Sequence, residues 1–192
     1  MARPKSEDKR NAILSAATRV FAERGLADAP TSEISKQAGI AEGTLFTYFK
    51  TKDDLINSLY REIKLELADA MMSDFPRKKG IRAKLEQVWT GYVNWGVANP
   101  EERKVMSQLQ VSDILTQESR DAGMAPFAEL KTMTREAIEQ RILRDDVPLD
   151  LISKALGALA EATMDLIRAN PSSADKYRTG GFELYWSAVT RK

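Results

Sequence analysis

With 192 residues, 43% of them hydrophobic and 30% charged, the chain can bury a core, as one ordinary domain or as a small domain plus a larger one, and is not a disordered composition. Its uncharged apolar runs, such as Ala155–Ala160, are far short of the ~18 residues of a membrane-crossing helix, and MARPKSEDKRN lacks the apolar stretch of a signal peptide. The absence of cysteine and histidine excludes disulfides, thiolate zinc sites, Ser-His and Cys-His catalysis and a histidine pH switch.

No paired-carboxylate or Gly-rich phosphate motif is apparent, so neither an enzyme nor a cofactor or metal is expected, and the predicted location is cytoplasmic with no membrane partner. Net charge is +1, unevenly placed. Residues 1–52 carry 9 Lys/Arg against 6 Asp/Glu, and residues 53–192 carry 20 against 22. A basic end on a near-neutral body suits a small DNA-binding head, although three charges of asymmetry are common in unrelated proteins.

Met1–Lys5 reads as an arm from which Arg3 and Lys5 can reach phosphate or a minor groove, a solvated terminus being the plainer reading. A first helix is predicted over Glu7–Arg24, with Ser6 as N-cap and Gly25 as its stop. Ile13, Ala16, Ala17, Val20 and Phe21 form one apolar stripe. Thr31 is the expected N-cap of a second helix whose Ile34 and Ala38 point inward. Gly39 permits a left-handed turn and Ile40 plugs the angle. A third helix follows over Ala41–Phe49.

On that helix Leu45 and Phe49 face the core, while Thr44 and Thr47 lie opposite with Gly43 between them, flanked by Phe46 and Tyr48. A small outer face presses closely into a groove. Threonine can hydrogen-bond a base edge or phosphate and lay its methyl on a thymine methyl, and Lys50 and Lys52 suit backbone phosphates. Spacing alone does not separate this from a three-helix bundle whose outer face is merely solvated.

ILSAATRVFAERG (13–25), TSEISKQAGIAEGTLFTYF (31–49) and KTKDDLINSL (50–59) together resemble the TetR family of one-component transcriptional regulators. The resemblance covers about 50 of the 192 residues. It implies an all-α protein of about nine helices: a helix-turn-helix DNA-binding domain over 1–52 and a helical ligand-binding and dimerisation domain over 53–192. It implies DNA contacts from Thr31, Thr44, Thr47, Tyr48 and Lys52, with Thr31 and Lys52 on phosphates and the other three reading or flanking bases. Ala41 replaces a frequent serine and Phe46 a frequent tyrosine, each removing a potential hydrogen bond. Glu42 is open between accepting from a cytosine amine and supporting its own helix N-terminus.

Beyond residue 52 the reading is by periodicity. A fourth helix over Asp53–Asp74 carries Leu55, Leu59, Ile63, Leu67 and Met71 on one stripe, and a fifth over Lys79–Ala98 gathers Leu85, Val88, Trp89, Tyr92, Trp95 and Gly96. A sixth is expected over Glu101–Val111, and a long one over Thr116–Arg144 with a break near Gly123–Pro126. Pro148, at the first helical position, opens an Ala/Gly-rich helix to Ala169. A last helix ends near Thr190, with Ser172 and Asp175 as a capping box.

Trp89, Tyr92, Met106, Leu109, Phe127, Met133 and Met164 are the candidate pocket walls for a small apolar or aromatic effector, ordinary core being the plainer reading of each taken singly. The resemblance implies that the last two helices form a homodimer interface. The function expected is a ligand-responsive regulator, a repressor released from an inverted-repeat operator. The alternatives are a helical small-molecule-binding protein and a regulator controlled by a protein partner.

Overall fold

The computed structural model describes residues 5–191, without the side chains of Lys5 and Ser6, so the expectations for the arm and for a Ser6 cap lie outside the described residues. The described residues form ten α-helices and two short 3-10 turns. The helices are α1 (Lys5–Arg24), α2 (Thr31–Gln37), α3 (Glu42–Tyr48), α4 (Lys52–Met72), α5 (Ile81–Ala98), α6 (Pro100–Gln110), α7 (Gln117–Met124), α8 (Ala128–Glu139), α9 (Leu149–Ala169) and α10 (Ala174–Val189). The expected break is present as a 3-10 turn, Ala125–Phe127, between α7 and α8. Counted as one interrupted helix, that pair makes the number nine.

Two compact units emerge from the packing, one of residues up to 65 with 100–124 and one of residues 66–99 with 125 onward. In the first unit the α1 stripe is fully buried, as are Ile34 of α2 and Leu45 of α3. Residues 100–124 are tied to this unit by polar side chains. The Asn57 amide donates to the Ile114 carbonyl at 3.0 Å and its oxygen accepts from the Thr116 amide at 2.9 Å. Arg61 donates to Ser119 Oγ at 2.6 Å, and Gln108 donates to the Phe21 carbonyl at 3.1 Å. Each satisfies a group that burial would otherwise leave unpaired.

The second unit is built on α5, α9 and α10. Trp89 stacks on Tyr185 at 6.3 Å between centroids and donates its indole N–H to the Arg178 carbonyl at 2.9 Å. Burial pushes the Tyr185 phenol up to about 12. Helices approach closely at Gly91, where a Cβ would stand 2.3 Å from the Ala70 carbonyl oxygen, a backbone atom that cannot swing away.

Several expected boundaries are corrected. The helix predicted to reach Arg144 ends at Glu139, and Arg141 takes a left-handed φ of 58°. Residues 142–144 then pair with the chain end: Arg144 N–H donates to Val189 O and Arg191 N–H to Ile142 O. Ile142, which lies beyond the end of α8, is 40% exposed. Pro148 is the N-cap of α9, one place before its first helical residue. The Ser172–Asp175 capping box does not form, because Ser172 donates to Asn170 and Asp175 pairs with Arg178.

Candidate nucleic-acid interface

The turn between α2 and α3 is a Schellman closure. Gly39 takes φ 69°, its N–H donates to Lys36 O at 3.2 Å, and the Ile40 N–H donates to Ser35 O at 3.0 Å. A residue with a Cβ pays strain in that left-handed conformation, so glycine fixes where α2 stops and α3 starts. The inner face of α3 is anchored by Leu45 and Phe49, while Glu42, Gly43, Phe46 and Thr47 are exposed and Thr44 and Tyr48 half-buried.

All five expected DNA contacts lie in the first unit, but three of them, Thr31, Thr47 and Lys52, are engaged internally. Thr31 is the first residue of α2 and not its cap, which is Pro30 without a side-chain bond. The Thr31 hydroxyl instead donates to Glu42 Oε1 at 2.7 Å, joining the starts of α2 and α3. Lys52 is half-buried. Its ammonium donates to the Ala27 carbonyl at 2.7 Å and lies 6.0 Å from the Phe21 ring centroid. Two of its three N–H donors stay available for a phosphate. The Thr47 hydroxyl donates back to Gly43 O at 3.0 Å, a bond that a base or phosphate acceptor can replace.

Between the approach to α2 and the end of α3 lies an open cleft of about 660 Å³, lined by Thr31, Ser32, Phe46, Lys50, Thr51 and Lys52 among others. Lys50, Lys52 and the hydroxyls of Thr31, Ser32 and Thr51 share its lining with Asp28, Phe46, Ala27, Ala29 and Pro30. Arg24 meanwhile holds Glu33 at 2.7 Å, neutralising the carboxylate of the first turn of α2.

A family model described as bacterial regulatory proteins, tetR family, matches residues 13–59, which contain this whole arrangement. Residues 13–59 are a tetR-family region. The fatty acid metabolism regulator protein of Bacillus subtilis is 33% identical over 99 residues, 52% of this chain and 50% of that one. The match thus spans about half the length of that relative. A tetR family transcription regulator from Shewanella sp. PV-4 superposes with a TM-score of 0.86 at 25% identity, over 96% of this chain and 99% of that one. FadR of Bacillus subtilis in complex with stearoyl-CoA superposes with a TM-score of 0.73 at 23% identity, over 92% and 97%.

The pocket residues named from the sequence fall into both units. Met106, half-buried, and Leu109, buried, belong to the first. Trp89, Tyr92, Phe127, Met133 and Met164 belong to the second. There Trp89 packs within the aromatic cluster, Met164 fills the space opposite Gly96, and the Tyr92 hydroxyl donates to Glu161 at 3.2 Å. Periodicity did not point to Asn57 or Arg61, because a lone polar residue on a helix gives no repeat to detect.

Proposed function

We propose that this protein is a homodimeric, ligand-responsive transcriptional repressor that sets α3 into the major groove at each half of an inverted-repeat operator. The observation that carries the reading is α3 itself: Leu45 and Phe49 fix one side to the core, and the other exposes Glu42, Gly43, Phe46 and Thr47 beside a cleft lined by Lys50 and Lys52. Within it, residues 1–52 act as the reading head and 53–192 as the effector and dimer body. Thr44, Thr47 and Tyr48 meet bases, Lys52 lies against a phosphate, and Thr31, whose hydroxyl proton is taken by Glu42, faces a phosphate through its backbone N–H at the start of α2.

The dimer is supported by the outer faces of α9 and α10. Leu151 and Leu166 are exposed on α9, in line with Ala155, Ala158 and Ala162, and Leu184 is exposed on α10 with Gly180 and Ala188. The buried residues of α9, Ile152, Leu156, Ala160 and Met164, fall roughly 140° away from that stripe on a 100°-per-residue wheel. A helix apolar on two opposite sides is built to be covered twice.

Within this reading the effector is a small apolar or aromatic compound held within the second unit by residues drawn from Trp89, Tyr92, Phe127, Met133 and Met164. It must favour the conformer that does not fit the operator, since equal affinity for both shifts nothing. The stearoyl-CoA complex of FadR from Bacillus subtilis makes a long acyl chain, presented as its thioester, the first apolar group to test.

Gel-shift assays with DNA flanking the gene test the function. Retardation that fades with rising salt and is reversed by stearoyl-CoA but not by coenzyme A alone is the expected result. Absence of retardation at any salt would remove the DNA reading. Retardation that no acyl chain length reverses would remove only the effector class. Lys52→Ala should weaken binding to all sequences, with a salt slope shallower by about one unit, whereas Thr47→Ala should change base preference. Because Lys52 also ties down Ala27, the comparison is made with variants of matched helicity.

A further inference from the structure

The first turn of α3 holds a carboxylate where a DNA-facing surface least tolerates one. Glu42 is exposed, and it accepts a hydrogen bond from the Thr31 hydroxyl, a neutral group. Its neighbour in the same region, Glu33, is by contrast covered by Arg24. An uncompensated carboxylate on a groove-facing turn is repelled by two rows of phosphates. That cost is offset where the carboxylate accepts a hydrogen bond from a base.

The major-groove edge offers two amino donors, cytosine N4 and adenine N6. Adenine places the N7 acceptor beside its donor, which suits the paired donor and acceptor of an amide and opposes a carboxylate. Cytosine presents its donor without that adjacent lone pair. The geometry points to Glu42 as a base-reading residue that selects cytosine in each half-site, with Thr31 as the residue that positions it. This deepens the DNA reading above and rests on it.

Two further features fit. The Thr31 bond of 2.7 Å fixes Oε1 and leaves Oε2 for the base. A carboxylate held on one side loses less side-chain entropy on docking than a free one. Next to it, a Cβ on Gly43 would meet nothing within 4 Å. Glycine at that helical position therefore answers no need of internal packing, and it lets the backbone beside Glu42 come close to an external surface.

The test is selection of binding sites from randomised duplexes by the full chain and by Glu42→Gln, Glu42→Ala and Thr31→Val. The wild type should require cytosine at one position of each half-site, by about tenfold or more over other bases. Glu42→Ala should reduce that preference to less than about threefold and leave other positions unchanged. Glu42→Gln should move it towards adenine, because an amide pairs with N6 and N7 together. Thr31→Val should blunt the cytosine preference without redirecting it. A residue that merely supports the fold would not exchange one base for another.

If the wild type selects no inverted repeat, the DNA reading itself fails. If it does select one, and Glu42→Ala keeps every preference or binds all sequences more tightly without changing preference, the DNA reading stands and the assignment of Glu42 is overturned.

Discussion

Replacing Gly43 by leucine should leave the protein at least as stable as before and reduce operator binding more than a hundredfold. Gly43 is the second residue of α3, with a backbone that any residue adopts, and the space above its Cα is open, so the interior glycine penalty is an upper bound there. Helical glycine is unfavourable relative to alanine by about 0.8–1 kcal/mol, and leucine is nearly as good a helix former as alanine. For a chain of this size a gain of that order raises the melting temperature by roughly 2–4 °C. A branched side chain there nevertheless stands between the helix backbone and the groove. It separates Glu42, Thr44 and Thr47 from base edges at once, and polar contacts fail when displaced by even an ångström or two. Thermal unfolding followed by circular dichroism, beside fluorescence anisotropy with the operator, gives both numbers. Wild-type affinity in a normally folded Gly43→Leu protein would show that the first turn of α3 does not approach DNA.

That opposition of stability and binding is informative because most destabilising routes to lost activity are closed at this position. Substitution at Gly39 cannot make the same distinction. There the left-handed φ of 69° strains any residue with a Cβ, so the turn and the interface fail together. Gly43 isolates the interface from the scaffold beneath it.

The head was legible in the sequence because its determinants are local. The α1 stripe and the Ile34 and Leu45 anchors follow helical spacing, and Gly39 marks its turn by the conformation it alone adopts cheaply. What escaped depends on partners distant along the chain. Thr31 has the composition of an N-cap, yet an acceptor eleven residues away takes its proton. Arg144 carries helix-compatible residues before it, yet residues 142–144 extend because the chain end supplies backbone partners. Asn57 and Arg61 look like solvated helix residues until residues 112–119 fold over them. Helical periodicity cannot encode such contacts, since it reports only which side of a helix is covered.

Leu184→Glu should convert the protein from dimer to monomer and, through that change alone, cost operator affinity about a thousandfold. Leu184 is 65% exposed in the single chain, so a carboxylate there reaches water and the fold of one subunit is undisturbed. In a two-fold interface the same position is used by both copies. The change removes two leucine side chains from burial, each worth about 1.5–3 kcal/mol when fully covered, and brings two like charges into a surface being dried. Without pairing, one seven-residue recognition helix must act alone. Two half-sites on one rigid dimer give the second contact a high effective concentration, and that advantage vanishes on dissociation. Sedimentation velocity gives the mass, circular dichroism the retained helicity, and anisotropy on full and half operators the affinity. The monomer should bind full and half operators about equally, whereas the wild type should prefer the full site strongly. A variant that remains dimeric would place the interface away from α9 and α10. A monomer that still prefers the full operator would break the link between pairing and palindrome recognition.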